Sequence, residues 1–294
     1  MKKATVFFTK EITPESLVHI FDAVGVELRG KTAVKISTGE PGGHNFLQPT
    51  LIAPLVSKLN GTIVESCTAY KGRRLDPAEH WQAIEEHGFK SIAPCDILDE
   101  QADMEIPVKD GINLNKNIVG KNIENYDSML MLSHFKGHIM GGFGGALKNM
   151  SIGIASTRGK TYIHTAGVAT DYRVMFDNLP EQDVFLECMA DACKSVIDFM
   201  GKDNIVYINV ANRLSVDCDC SDHPKEPEMG DLGIFASTDP VALDQACYDA
   251  VINSPDEGKA SLIERMNSRH GIHIVEAGTQ LGIGVREYEI VNID

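Results

Sequence analysis

Strand-like and helix-like runs alternate through the first third of this chain, and that alternation limits its fold more than any other feature. Residues 5–9 read as an opening strand. Pro14 then starts a helix over residues 14–28, with Leu17, Ile20, Phe21 and Val24 on one face. Residues 31–37 and 62–65 read as the next strands. Residues 49–59 and 77–87 read as helices, the second closed by Gly88. Repeated β–α units imply a mostly parallel sheet flanked by helices, an α/β fold. The strands run into glycine-bearing loops at 38–45 and 66–74, and an apolar run at 128–132 leads into a third loop at 133–149. Loops that follow parallel strands leave one edge of the sheet, where α/β proteins place their chemistry. The three loops are therefore expected to converge.

The signal weakens between Cys95 and Val119, where residues 96–98 and 105–108 suggest an edge hairpin or a cover. It returns with an amphipathic helix at 182–200 and strands at 204–210 and 233–236. Asp239 caps a helix that has Pro240 at its first position and runs to about residue 252. Helices near 259–267 and 272–282 and a strand near 288–291 follow. Two lobes are expected, residues 1–120 and 121–294, with the site between them, or else one integrated domain.

The formal net charge of −15 argues against non-specific binding to nucleic acid or to an anionic membrane. No apolar run approaches the roughly 20 residues that span a bilayer. The apolar stretch after Met1 is too short for a signal peptide. Together these suggest a cytoplasmic protein. The seven cysteines (Cys67, Cys95, Cys188, Cys193, Cys218, Cys220 and Cys247) are odd in number and form no C-x-x-C pair. That pattern argues against a secreted disulfide framework, and most of them read as free thiols.

The third loop carries the densest chemistry. Between Ser133 and Asn149 stand His134, Lys136, His138, Lys148 and five glycines. His134 and His138 have a metal-ligand spacing only on a helix, and Gly137 and Gly141 weigh against one, so His134 is a secondary metal candidate. Successive N–H groups around Gly142, Gly144 and Gly145 can form an anion nest beside the Lys148 ammonium and Asn149. In the second loop, Tyr70, Arg73 and Arg74 offer a clamp for a carboxylate or phosphate. His44 follows Gly42-Gly43 in the first. Cys218 and Cys220 share one face of an extended segment and, with Asp222 and His223 beyond them, could hold a soft metal. Their spacing matches no standard zinc module. Asp244 reads as structural, a carboxylate on the first turn of the helix that Asp239 caps.

The run Ser133-His134-Phe135-Lys136-Gly137-His138 and the run Gly142-Phe143-Gly144-Gly145-Ala146-Leu147-Lys148-Asn149 resemble domain-of-unknown-function family 362. So do Thr68, Tyr70, Gly72 and Arg73, the Cys218-Asp219-Cys220 triplet and residues 236–246. The resemblance implies a protein of a group often called iron–sulfur-centre proteins, whose reaction is unsettled. Many members carry two C-x-x-C-x-x-C runs after the position of His164, whereas residues 165–183 here hold no cysteine. No iron–sulfur cluster is therefore expected. The loop is similar, more distantly, to the lactate racemase family, with its nickel-pincer cofactor. There a histidine, a lysine ten residues later and a histidine sixteen beyond that surround the cofactor, which the lysine holds covalently. His138, Lys148 and His164 have the same spacing. This resemblance implies hydride transfer on a 2-hydroxy acid with histidine bases, His44 among them, and Arg73 or Arg74 on the substrate carboxylate.

The chain therefore reads as a cytoplasmic α/β enzyme that binds a small anionic organic acid or anionic cofactor, for racemase, isomerase or redox chemistry. His44, His138, Lys148 and His164 are its candidate working residues. Tyr70, Arg73, Arg74, Gly142, Gly144, Gly145 and Asn149 are the candidate anion-binding set. A transition metal or a nickel-pincer-like group is the candidate cofactor. The alternatives are a non-catalytic metal- or anion-binding protein that acts with a redox partner, and a metal store or sensor that uses Cys218, Cys220 and His223. A homodimer is the candidate assembly.

Overall fold

A computed structural model describes residues 3–221 and 224–294; Asp222 and His223 lie outside the described residues. The chain runs β1 (Ala4–Thr9), α1 (Pro14–Val24), β2 (Thr32–Lys35), α2 (Pro49–Lys58), β3 (Thr62–Glu65), α3 (Pro77–Glu86) and β4 (Cys95–Ile97). Next come β5 (Asp103–Pro107), β6 (Lys116–Gly120), β7 (Ser128–His134), β8 (Lys136–His138), β9 (Gly142–Gly144), α4 (Ala146–Ser151) and α5 (Thr157–His164). The last elements are α6 (Gln182–Met200), β10 (Ile205–Ala211), β11 (Gly233–Ser237), α7 (Pro240–Asn253), α8 (Lys259–Ser268), α9 (His273–Gln280) and β12 (Tyr288–Asn292).

Eight strands form one sheet in the order β12-β1-β11-β10-β7-β2-β3-β4. Its pairings are parallel except for those of β11, which runs antiparallel to β1 and β10. The sheet draws strands from both 1–120 and 121–294, and β2 pairs directly with β7 across the expected boundary. Side chains of β7 alternate between two cores. Met129 and Met131 pack in the layer of α4 to α9, and Leu130 and Leu132 in the layer of α1 to α3. Burial on both faces is why β7 is an unbroken apolar run.

Local chemistry sets most element ends. Thr13 and Ser16 cap α1 reciprocally, and Gly25 at φ 73° closes it, so the helix stops short of the 14–28 expected. The two short runs at 96–98 and 105–108 are not one hairpin. β4 extends the main sheet beside β3, whereas β5 pairs with β6 in a separate ribbon. The third loop holds more regular structure than its glycines suggest. β8 and β9 pair as a hairpin, and α4 begins at Ala146. Among the described residues no helix is long and apolar enough to cross a membrane.

Candidate functional site

Because β2, β3, β7 and β10 are parallel, the segments that follow them meet at one edge of the sheet. They enclose a cavity of about 530 Å³, a size typical of small-ligand sites. Lys35 ends β2 and Glu65 ends β3, and both side chains line the cavity.

On one side of the cavity every charge is answered. Arg74 lies 2.7 Å from Glu40 and 3.8 Å from Glu65, and Lys35 lies 3.8 Å from Glu65. The Tyr70 hydroxyl donates to Glu40 at 2.5 Å. Lys136 pairs with Asp219 at 2.5 Å. Burial pushes the Glu65 carboxyl up, but Lys35 and Arg74 outweigh it and hold it at about 2. Asp219 is also buried, and His134 and Lys136 hold its carboxyl far below the usual range.

The other side is uncompensated. Neither Lys148 on α4 nor Lys160 on α5 has an ion pair among the described residues. Lys160 Nζ donates to the Ala155 carbonyl at 2.6 Å. Burial lowers Lys148 to about 8, opposed by Asp219, and lowers Lys160 to about 8, opposed by Asp99. Asp99 itself accepts from the backbone N–H groups of Cys67 and Thr157.

Two histidines flank these lysines on the cavity wall. The backbone N–H groups of Gly141 and Met140 donate to His138 Nδ1 at 2.9 and 3.3 Å. In the neutral ring the proton therefore sits on Nε2. His164 is reversed. Its Nδ1 lies 2.7 Å from the Lys160 carbonyl, which can only accept, so Nδ1 carries the proton and Nε2 a lone pair. Burial, with Lys148 adding to it, pushes His138 well below its ordinary value. Burial brings His164 to about 4 against the hydrogen bond to Lys160. Both rings are neutral at pH 7, one a donor and the other an acceptor.

Of the residues singled out in sequence, His138, Lys148 and His164 line this cavity together. Others do not join them. His44 is exposed on a separate open hollow, 3.0 Å from Glu226. Arg73 points away and bridges Glu86 through two 2.8 Å bonds. Tyr70 and Arg74 line the cavity, yet the carboxylate they clamp is the protein's own Glu40. The Asn149 amide nitrogen is occupied by the carbonyls of Lys35 and Leu132 and by Ser133 Oγ. Both ring nitrogens of His134 are occupied, by Asp219 at 3.1 Å and the Asn212 carbonyl at 2.6 Å, so it has none left for a metal.

The anion nest is filled from within. The Ala146 and Leu147 N–H groups donate to Asp244 at 2.8 and 2.9 Å, with Asn209 as a third donor at 2.7 Å. A Cβ on Gly145 would lie 2.3 Å from Asp244 Oδ1, so glycine is required for that approach. Asp244 is structural, but it caps α4 rather than its own helix. Burial raises it to about 6, against those hydrogen bonds. Gly142, at φ 78°, packs against Gly271 and lies off the cavity, whereas Gly144 lines it. Cys218 and Cys220 line the cavity, with their sulfurs bonded to each other. Cys188 and Cys193 are buried in the core on α6.

Lys35, Lys160 and Asp219 were not singled out from the sequence. Lys160 had a usable signal. It stands four residues before His164 on a helix capped by Ser156, a spacing that puts both on one face. Asp219 stands in the Cys218-Asp219-Cys220 triplet of the family resemblance, but its role, like that of Lys35, comes from partners distant in sequence.

The fold and cavity define a three-layer α/β protein with a cation-rich cavity at the carboxyl edge of its parallel strands. The family described as a domain of unknown function, DUF362, matches residues 32–249, and the chain belongs to that family. No curated protein matches the chain in sequence. In structure it is similar to the lactate racemase apoprotein from Thermoanaerobacterium thermosaccharolyticum, at 12% identity and a TM-score of 0.48. That overlap covers 84% of this chain and 57% of the racemase. A protein from Thermotoga maritima gives 13% identity and a TM-score of 0.48, over 82% of this chain and 59% of that one. The chain thus spans under two thirds of the length of both.

Proposed function

We propose that this protein is an enzyme that binds a small organic carboxylate at Lys148 and Lys160 and removes a proton from the carbon beside it. The supporting observation is the pair of lysines without carboxylate partners among the described residues, flanked by histidines in opposite tautomers. The lysines remain largely charged at pH 7 and attract the carboxylate. His164 Nε2 is the base. The bound anion adds a negative charge beside it and raises its affinity for a proton. His138 Nε2–H donates to the substrate oxygen on which charge develops, a role that a neutral imidazole fills without giving up its proton. Return of the proton from His164 to the other face, after the planar intermediate turns over in the cavity, or to a neighbouring atom, gives racemase or isomerase chemistry.

A covalently attached cofactor of the lactate racemase type would fit Lys148. Its amine has no partner among the described residues, and its lowered value leaves more of it uncharged than in an ordinary lysine. Such a group would supply a hydride acceptor, with His164 Nε2 the ring nitrogen open to it.

Deuterium uptake from D2O at C2 of 2-hydroxy acids, followed by NMR, tests the reading. Uptake in the wild type, falling about a hundredfold or more in His164→Gln, is expected. Equal uptake in that variant sinks the assignment of the base.

One observation favours a second reading as a metal protein. A ring nitrogen of His138 and the sulfurs of Cys218 and Cys220 lie within 4.8 Å of one another. Metal binding there would require the sulfurs to be reduced. It would also use a histidine whose Nδ1 faces two N–H donors, whereas a metal-bound imidazole normally donates from its second nitrogen. Plasma mass spectrometry on reduced protein and on Cys218→Ser/Cys220→Ser decides it. A stoichiometric metal lost in the double variant establishes the site, and equal content in both removes it.

A further inference from the structure

Part of the cavity lining is apolar. Ile139, Met140, Ile152, Met175, Phe176 and Leu179 line the cavity from the β8–β9 turn, the end of α4 and the 3-10 turn at Tyr172–Asn178. Three of them continue outward into solvent, with Ile139 54% exposed, Phe176 61% and Leu179 44%. Large exposed apolar side chains are unusual enough in a cluster to mark a binding surface. Val168 and Val174, near Phe176 and Leu179 in the chain, are also exposed, whereas Phe199, Ile290 and Val291 are exposed on other elements.

We infer that the ligand is amphipathic, a carboxylate that carries a hydrocarbon tail of several carbons. The head sits among Lys148, Lys160 and the two histidines, and the tail leaves over Ile139, Phe176 and Leu179. This rests on the anion reading above and adds to it a substrate class, acyl- or prenyl-like acids rather than short hydroxy acids. Two features favour a single amphiphile over a membrane or a protein as the occupant. The apolar strip is continuous with the walls of a cavity whose lining includes Lys148 and Lys160, which have no ion pair among the described residues, so head and tail are both provided for in one path. The chain as a whole carries −15, which repels an anionic lipid surface.

The test is a calorimetric series of straight-chain carboxylates from two to twelve carbons, each below its micelle concentration, with the whole protein. Affinity should rise about fourfold per methylene added along the strip. In Phe176→Ser/Leu179→Ser the increment should fall below about twofold per methylene, because that surface no longer removes the tail from water. In Lys148→Met, affinity should drop by the same factor at every chain length, leaving the increment intact. A flat wild-type series with short acids bound overturns the tail and leaves the anion site standing. No carboxylate bound at any length overturns both. Tight binding to phosphatidylcholine vesicles without response to monomeric acids reassigns the strip to a membrane surface and overturns the proposal. If the double variant fails to fold, the wild-type series alone still decides.

Discussion

On the Arg74 side of the cavity, Glu40 and Glu65 bracket the guanidinium and Lys35 extends the chain of charges. On the Lys148 side, two lysines face the same space with no carboxylate in ion-pairing reach among the described residues, and both are pushed down to about 8. Residue type does not distinguish the two sides, since each is built from buried cations at the ends of parallel strands or in the segments after them. Compensation does. A buried charge with fitted partners is held by the fold and can be removed only at the fold's expense. A buried charge without one costs stability and is retained where it has a ligand to meet.

The largest effect expected from this contrast is on the compensated side. Arg74→Leu leaves Glu40 buried without its counter-charge and Glu65 with Lys35 alone, and should cost about 3–5 kcal/mol in urea unfolding at pH 7. A loss under 1 kcal/mol would erase the distinction. Asp244→Ala strips two backbone N–H groups at the start of α4 of their acceptor and should cost about 2–3 kcal/mol by the same measurement. Lys148→Met should act in the opposite direction. It should gain on the order of 1–3 kcal/mol, because burial opposes its charge, while carboxylate affinity falls at least about tenfold. A destabilised Lys148→Met would make that lysine structural.

The pH dependence follows with a defined sign. The folded-state values of Lys148 and Lys160, near 8, lie below the ordinary 10.5. Between the two the unfolded chain binds more protons, so stability should rise with pH through that window, and less steeply in Lys148→Met. Carboxylate binding should run the other way. It should be strong at pH 7 and about tenfold weaker at pH 9, as each lysine loses its charge. The smallest effects are expected at residues that the structure leaves outside the cavity. His44→Ala and Arg73→Ala should leave the urea unfolding midpoint unchanged, because their ion pairs with Glu226 and Glu86 are exposed to solvent. Neither should change ligand affinity.

Much of the fold was legible because its determinants are local. Helix α6 spans Gln182–Met200, the limits its apolar periodicity gave, and β3 spans Thr62–Glu65 as expected. Asp239 and Pro240 start α7 by side-chain capping and a preset φ, both readable from two adjacent residues. The gathering of His138, Lys148 and His164 was also legible, from one loop and the helix after it. Illegible were the facts that depend on distant partners. Glu40 takes Arg74 from 34 residues away, and Asp244 fills the glycine nest from 98 residues away. No local pattern shows that a candidate anion site already holds the protein's own carboxylate.

The sequence by itself determined most of the strand and helix segments, the parallel run of the sheet and the edge at which its loops gather. It did so because periodicity, capping and crossover geometry act over a few residues or one β–α unit. Only the tertiary structure decided which of the gathered charges are spent on one another and which remain for a ligand. Coulomb and hydrogen-bond pairing act over a few ångströms in space, and separation along the chain says nothing about them.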